Sequence, residues 1–85
     1  MLKKIHHVGI VVRKLEEAFE FYKDTLGLPL GKMATMQDQG VKAALLPIGE
    51  SEIELLEPIT PDSGVARFLE KKGGGLHHLC FETDE

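Results

Sequence analysis

Ile5-His6-His7-Val8 near the start of the chain and Leu76-His77-His78-Leu79 near its end share one pattern, apolar-His-His-apolar, 71 positions apart. A strand that echoes itself at a fixed offset is the mark of a duplicated module. The echo is short, but its placement strengthens it. The second copy arrives only after one full set of secondary-structure signals has been spelled out.

Those signals run outward from the first copy. Ile5 to Val12 is rich in β-branched residues and reads as a strand. Leu15, Ala18, Phe19, Tyr22 and Leu26 then follow helical spacing, with Glu16, Glu17, Glu20, Lys23 and Asp24 on the wet side. Gly27 stands where a left-handed C-terminal cap is needed, and Pro29 follows. Leu30 to Thr35, Val41 to Leu46 and Glu52 to Glu57 read as three further strands, punctuated by Gln39-Gly40 and Gly49-Glu50-Ser51. Asp62 or Ser63 can cap a short helix carrying Val65, Phe68 and Leu69, which Gly73-Gly74-Gly75 ends. The expectation is an α+β domain over residues 1–85. It has a βαβββ module over about 4–58, a connecting helix over about 62–72 and, over about 76–82, the first strand of a second module cut short by Glu85.

Composition narrows the function classes. The 85 residues are 42% hydrophobic and 28% charged, an ordinary globular balance. A net charge of −4 argues against nucleic acid or an anionic membrane surface as partner, while a small anionic ligand stays open. Cys80 is the only cysteine, which excludes an internal disulfide and suits a reducing cytoplasm. The first residues lack a long apolar secretion segment, and no apolar run reaches the roughly 20 residues of a membrane span. The expectation is a soluble, cytoplasmic protein.

The histidines are the candidates for chemistry. By strict strand alternation His7 shares a face with Ile5, Gly9 and Val11, and His78 with Leu76 and Cys80. Each His-His pair then places one imidazole on each side of its sheet. Two modules related by an approximate two-fold axis would bring His7 and His78 toward one another. Glu54 shares its face with Leu56, a partly apolar setting in which a carboxylate needs a partner. Two imidazoles and a carboxylate suit zinc, cobalt, nickel or manganese and leave coordination positions open.

Each residue also has a plainer reading. A lone strand histidine is usually a hydrogen-bonded polar residue, and only the doubled pattern lifts this pair above that. Glu52 and Glu57 read as solvent-facing, Cys80 as a small buried thiol, and Phe19, Tyr22 and Phe68 as core. Gly73-Gly74-Gly75 lacks the strand-turn-helix setting of a phosphate loop.

Several stretches resemble methylmalonyl-CoA epimerases of the vicinal oxygen chelate (glyoxalase/bleomycin resistance/dioxygenase) superfamily. They are His6-His7-Val8-Gly9-Ile10-Val11-Val12, Phe21-Tyr22-Lys23-Asp24-Thr25-Leu26-Gly27-Leu28, Gln39-Gly40-Val41, Glu52-Ile53-Glu54-Leu55-Leu56-Glu57-Pro58 and Gly75-Leu76-His77-His78-Leu79. The Phe-Tyr…Leu-Gly-Leu helix end is general to the superfamily. Glu-Leu-Leu-Glu-Pro and Gly-Leu-His-His are more specific to the epimerases. The resemblance implies paired βαβββ modules whose curved sheet cups a divalent metal, cobalt, zinc, manganese or nickel, on His7, Glu54 and His78. In several relatives the position of Glu54 is a glutamine, and the usual fourth ligand is a glutamate of the second module. An acyl-CoA substrate is implied too, as is interconversion of (2R)- and (2S)-methylmalonyl-CoA through proton transfer at C2, while the sheet face and edges that an isolated module would expose favour a homodimer. The pattern is broken at the catalytic bases: one, a glutamate of the third strand, aligns with Ala43, and the other is the second-module glutamate that the sequence to Glu85 does not include, so the catalytic base is unknown and the resemblance leaves the activity of these 85 residues open.

Other readings remain. A glyoxalase I runs similar enolate chemistry on a glutathione hemithioacetal. Ring-cleaving dioxygenases need iron and a longer chain, and drug-binding relatives lack the metal ligands retained here. A non-catalytic metal-binding half-module that folds by dimerising is the alternative from a different class. Within the metal reading, His7→Ala and His78→Ala are expected to weaken cobalt or zinc binding greatly, and His6→Ala and His77→Ala to leave it unchanged.

Overall fold

The computed structural model describes residues 1–84; Glu85, the last residue of the domain expected over 1–85, lies outside the described residues. Strand β1 runs Leu2–Val11 and helix α1 starts at Leu15–Phe19. Strands β2 (Lys32–Met36), β3 (Val41–Ile48) and β4 (Ser51–Pro58) follow, then α2 (Gly64–Lys72) and β5 (Gly75–Thr83). The strand expected from Leu30 begins two residues later, because Pro29 cannot donate to a ladder and Gly31 makes only an isolated backbone bond to Leu45. Among the described residues no helix is long and apolar enough to cross a membrane.

The five strands form one mixed sheet in the order β2-β3-β4-β1-β5. β1 lies parallel to β4, and every other neighbouring pair is antiparallel. Each face of this α+β sheet has its own apolar layer. On one, Leu15 of α1 packs with Ala44, Leu46 and Leu55, and Ala18, Phe19 and Tyr22 extend the cover. On the other, Val11, Val41, Ala43 and Leu56 meet Val65, Phe68 and Leu69 of α2. α2 shields only part of that second face and leaves the rest to the polar residues described below.

The pairing of β1 with β5 departs from ideal alternation in three places, one between Leu2 and Lys4 near the end of the ladder and two that mirror one another. His7 pairs with Cys80, Val8 with Leu79 and Gly9 with His78. Ile5 pairs with Phe81 and Ile10 with Leu76, so His6 on β1 and His77 on β5 are each one residue too many for the ladder. These are β-bulges, which re-aim side chains and break the two-residue period. Applying the 71-residue offset to this register exchanges His7↔Cys80 with Gly9↔His78 and Ile5↔Phe81 with Ile10↔Leu76, and leaves Val8↔Leu79 unchanged. The two strands are therefore related by a local two-fold axis through Val8 and Leu79.

The bulges correct the strand faces read from alternation. Ile5 and Leu76, paired with Phe81 and Ile10, lie on the face opposite His7 and His78 instead of sharing theirs. The two imidazoles of each pair are brought to the same side of the sheet, not to opposite sides, as their ring contacts show.

Helix ends carry two further findings. The expected single α-helix over Leu15 to Leu26 is α-helical only to Phe19 and winds as a π-helix over Glu20–Thr25. There the Thr25 hydroxyl donates to the Glu20 carbonyl and the Leu26 amide reaches Phe21, so the last turn is held wide. Gly27, at a φ of 77°, ends it as expected. Glu57 is not simply solvent-facing: its carboxylate accepts the Leu15 amide at 2.7 Å and satisfies a free donor at the start of α1, where Lys14 offers no side-chain cap. Ser63 caps α2 by accepting from the Ala66 amide at 3.0 Å.

Leu55 is fully buried between α1 and the sheet. Leu55→Ala should cost about 2–5 kcal/mol in urea unfolding, whereas replacing exposed Met33 by Ala should change stability by less than about 0.5 kcal/mol.

Candidate metal centre

Three neighbouring strands aim one donor each at a common point. Gly9 pairs with Glu54 across the parallel β1–β4 ladder and with His78 across the antiparallel β1–β5 ladder, and His7 lies two residues before Gly9 on the same face. His7 Nε2 lies 3.1 Å from His78 Nε2. Glu54 Oε1 lies 3.5 Å from the first nitrogen and 3.4 Å from the second. The side chains of His7 and Glu54 are each 19% exposed and that of His78 is 35% exposed, so the group is partly desolvated yet open on one side.

The triangle has the dimensions a single cation requires. Two donors each about 2.1 Å from a metal lie roughly 3.0 Å apart at a right angle and roughly 3.4 Å apart at the tetrahedral angle. The donor chemistry agrees. A proton shared between the two imidazoles would satisfy only one side of the triangle, whereas a cation satisfies all three. Two imidazoles with one carboxylate fit zinc, cobalt, nickel or manganese, and three protein donors leave room for a further ligand.

Three supporting residues were not expected from the sequence. His6 Nδ1 lies 2.9 Å from His7 Nδ1, and His77 Nδ1 lies 2.8 Å from His78 Nδ1. When His7 and His78 donate through Nδ1, both Nε2 atoms turn lone pairs toward Glu54, the arrangement that outer hydrogen bonds commonly give metal-binding histidines. His77 in turn packs edge-on against Phe68, with ring centroids 4.9 Å apart, which ties the outer ring to α2. Gly9 is the third. A Cβ there would fall 2.2 Å from Cε1 of His78, so the ring occupies the space that the missing side chain leaves. The repeated His-His signal was the clue to the outer rings, but alternation alone turned them to the far side of the sheet.

Residues 6–85 match the Glyoxalase/Bleomycin resistance protein/Dioxygenase superfamily. The chain belongs to that superfamily. It is 42% identical over 80 residues to the uncharacterized protein YqjC of Bacillus subtilis, covering 94% of this chain and 57% of that one. It is 40% identical over 84 residues to the mitochondrial methylmalonyl-CoA epimerase of Bos taurus, covering 98% of this chain and 48% of the relative. A methylmalonyl-CoA epimerase variant of Streptomyces coelicolor, solved with 2-nitronate-propionyl-CoA, superposes with a TM-score of 0.92 at 37% identity. That match covers all of this chain and 65% of the solved one. The chain thus spans about half to two-thirds of the length of these superfamily members.

Within this glyoxalase-like fold, Ala43 lies buried on β3 beside Val11, Val41 and Leu56, and presents only a methyl group at the position where the epimerase resemblance expects a base. Gly9→Ala should displace the His78 ring and abolish tight cobalt binding while far-ultraviolet circular dichroism stays unchanged. His6→Ala and His77→Ala should each weaken cobalt binding by about 10–100-fold, less than His7→Ala or His78→Ala, as read by isothermal titration calorimetry. Indifference to His6→Ala and His77→Ala would instead match the expectation from strict alternation.

Proposed function

We propose that the chain carries metal-assisted epimerase chemistry, the interconversion of (2R)- and (2S)-methylmalonyl-CoA by removal and return of the C2 proton. The observation that supports this most directly is the triangle of His7, Glu54 and His78, with donor atoms 3.1–3.5 Å apart, on a scaffold similar to that of the epimerases. Residues of about 4–58 would form one βαβββ module, about 62–72 the connection, and β5 the opening of a second. The two-fold relation of β1 and β5 favours that division.

His7, Glu54 and His78 would hold a cobalt, zinc, manganese or nickel ion, which would supply Lewis-acid stabilisation of the negative charge that develops on the thioester oxygen. Two neutral imidazoles and a single carboxylate cancel only part of a dication's charge, so the donor set keeps the site attractive to an anionic malonyl group. His6 beside His7 and His77 beside His78 would orient the inner rings, so that little reorganisation would accompany substrate binding. The buried methyl of Ala43 cannot exchange a proton, which assigns proton transfer at C2 to a group other than this third-strand residue.

In heavy water, with cobalt supplied, the chain should wash solvent deuterium into C2 of methylmalonyl-CoA, and His7→Ala or His78→Ala should reduce exchange to the uncatalysed rate. Isomerisation only of the hemithioacetal of methylglyoxal and glutathione would replace this reading with a glyoxalase I. Cobalt uptake with neither reaction would replace it with a non-catalytic metal-binding module.

A further inference from the structure

A second group of metal-binding atoms lies on the outer side of His7. The bulge at His6 turns that ring back beside His7, so that their Nδ1 atoms are 2.9 Å apart. Cys80 stands directly across the ladder from His7 on β5, an edge strand of the sheet. One ligand atom from each of His6, His7 and Cys80 falls within 4.8 Å of the other two. Cys80 is a free, half-buried thiol and His6 is exposed, so solvent reaches the group directly.

The donor set differs in kind from the triangle formed with Glu54. It contains sulfur and no oxygen, which selects soft and borderline cations over magnesium, calcium or manganese. A sulfur donor at about 2.3 Å and a nitrogen at about 2.1 Å from a tetrahedral ion lie roughly 3.6 Å apart. The widest pair therefore has to close by little more than about 1 Å, within the reach of a side-chain rotation. The local two-fold axis explains why His77 and His78 form no counterpart of this group among the described residues. The offset carries Cys80 back onto Gly9, so His77 and His78 face a residue with no side chain where His6 and His7 face a thiol.

The geometry points to His6, His7 and Cys80 as a second binding site, selective for thiophilic divalent cations such as cadmium or zinc and overlapping the first through His7. On binding, the thiol releases its proton to solvent and the thiolate becomes the third donor. A soft cation seated here draws on the ring that also serves Glu54 and His78, so the two sites compete for the orientation of one imidazole.

Cadmium alone is the probe, with the whole chain as the sample. One equivalent should produce an ultraviolet thiolate-to-cadmium charge-transfer band and protect Cys80 from iodoacetamide. Cys80→Ser should lose the band, and His6→Gln should lose both band and protection. Glu54→Gln, which touches only the first site, should keep both. Cadmium bound without a thiolate band, full protection persisting in His6→Gln, or loss of the band in Glu54→Gln would each overturn the proposal. Should Cys80→Ser fail to fold, the comparison of His6→Gln with Glu54→Gln decides alone. Failure of the epimerase reading leaves these outcomes untouched, because no substrate enters the measurement.

Discussion

The antiparallel pairing of β1 with β5 is the constraint on which the rest of the structure depends. It brings His78 beside Gly9 and Cys80 beside His7, and it closes the row of strands that runs through Glu54 on β4. A perfectly regular ladder would have sent His6 and His77 to the far face. The extra residue on each strand keeps all four imidazoles together. The local two-fold relation then follows from strand register alone, since equivalent positions pair reciprocally about Val8 and Leu79.

Gathering this many polar groups on one face has an energetic cost that the packing offsets. The two partly buried imidazoles, His7 and His78, need partners and have them: each other and Glu54 on the inner side, and the exposed rings of His6 and His77 on the outer side. The apolar layer of Val11, Val41, Ala43 and Leu56 under α2 sits on the same face and supplies a rigid floor. Phe68 joins that layer to His77, so the orientation of His78 is set by a chain of contacts that begins in the core. Gly9 contributes by lacking a side chain where a ring must pass close to the backbone.

Much of this was legible in the residues. The order of strands and helices, a cap for α2 at Asp62 or Ser63, the turn at Gly27 and the candidates His7, Glu54 and His78, which the structure brings together, were read from periodicity, turn chemistry and the repeated histidine pair. The residues that escaped did so for a shared physical reason. A bulge has no compositional signature, so alternation misplaced Ile5 and Leu76 and hid the roles of His6 and His77. Glu57 was misjudged because its amide partner at Leu15 lies 42 residues away, beyond anything local sequence can indicate. The π-helical turn at Glu20–Thr25 is accompanied by a threonine hydroxyl donating back along its own helix to Glu20, a feature that helical spacing does not reveal.

The β1–β5 ladder also joins the two ends of the described chain: the Met1 ammonium meets the Asp84 carboxylate at 3.0 Å, and the Asp84 amide reaches the Met1 carbonyl. Donors on β1 and β5 are thus assembled only after the 71-residue separation between His7 and His78 has been closed, an entropic cost that local turns do not share. An ion bridging His7 and His78 would act as a non-covalent tether on that large loop, making affinity for the ion and the order of the chain ends two measures of one equilibrium.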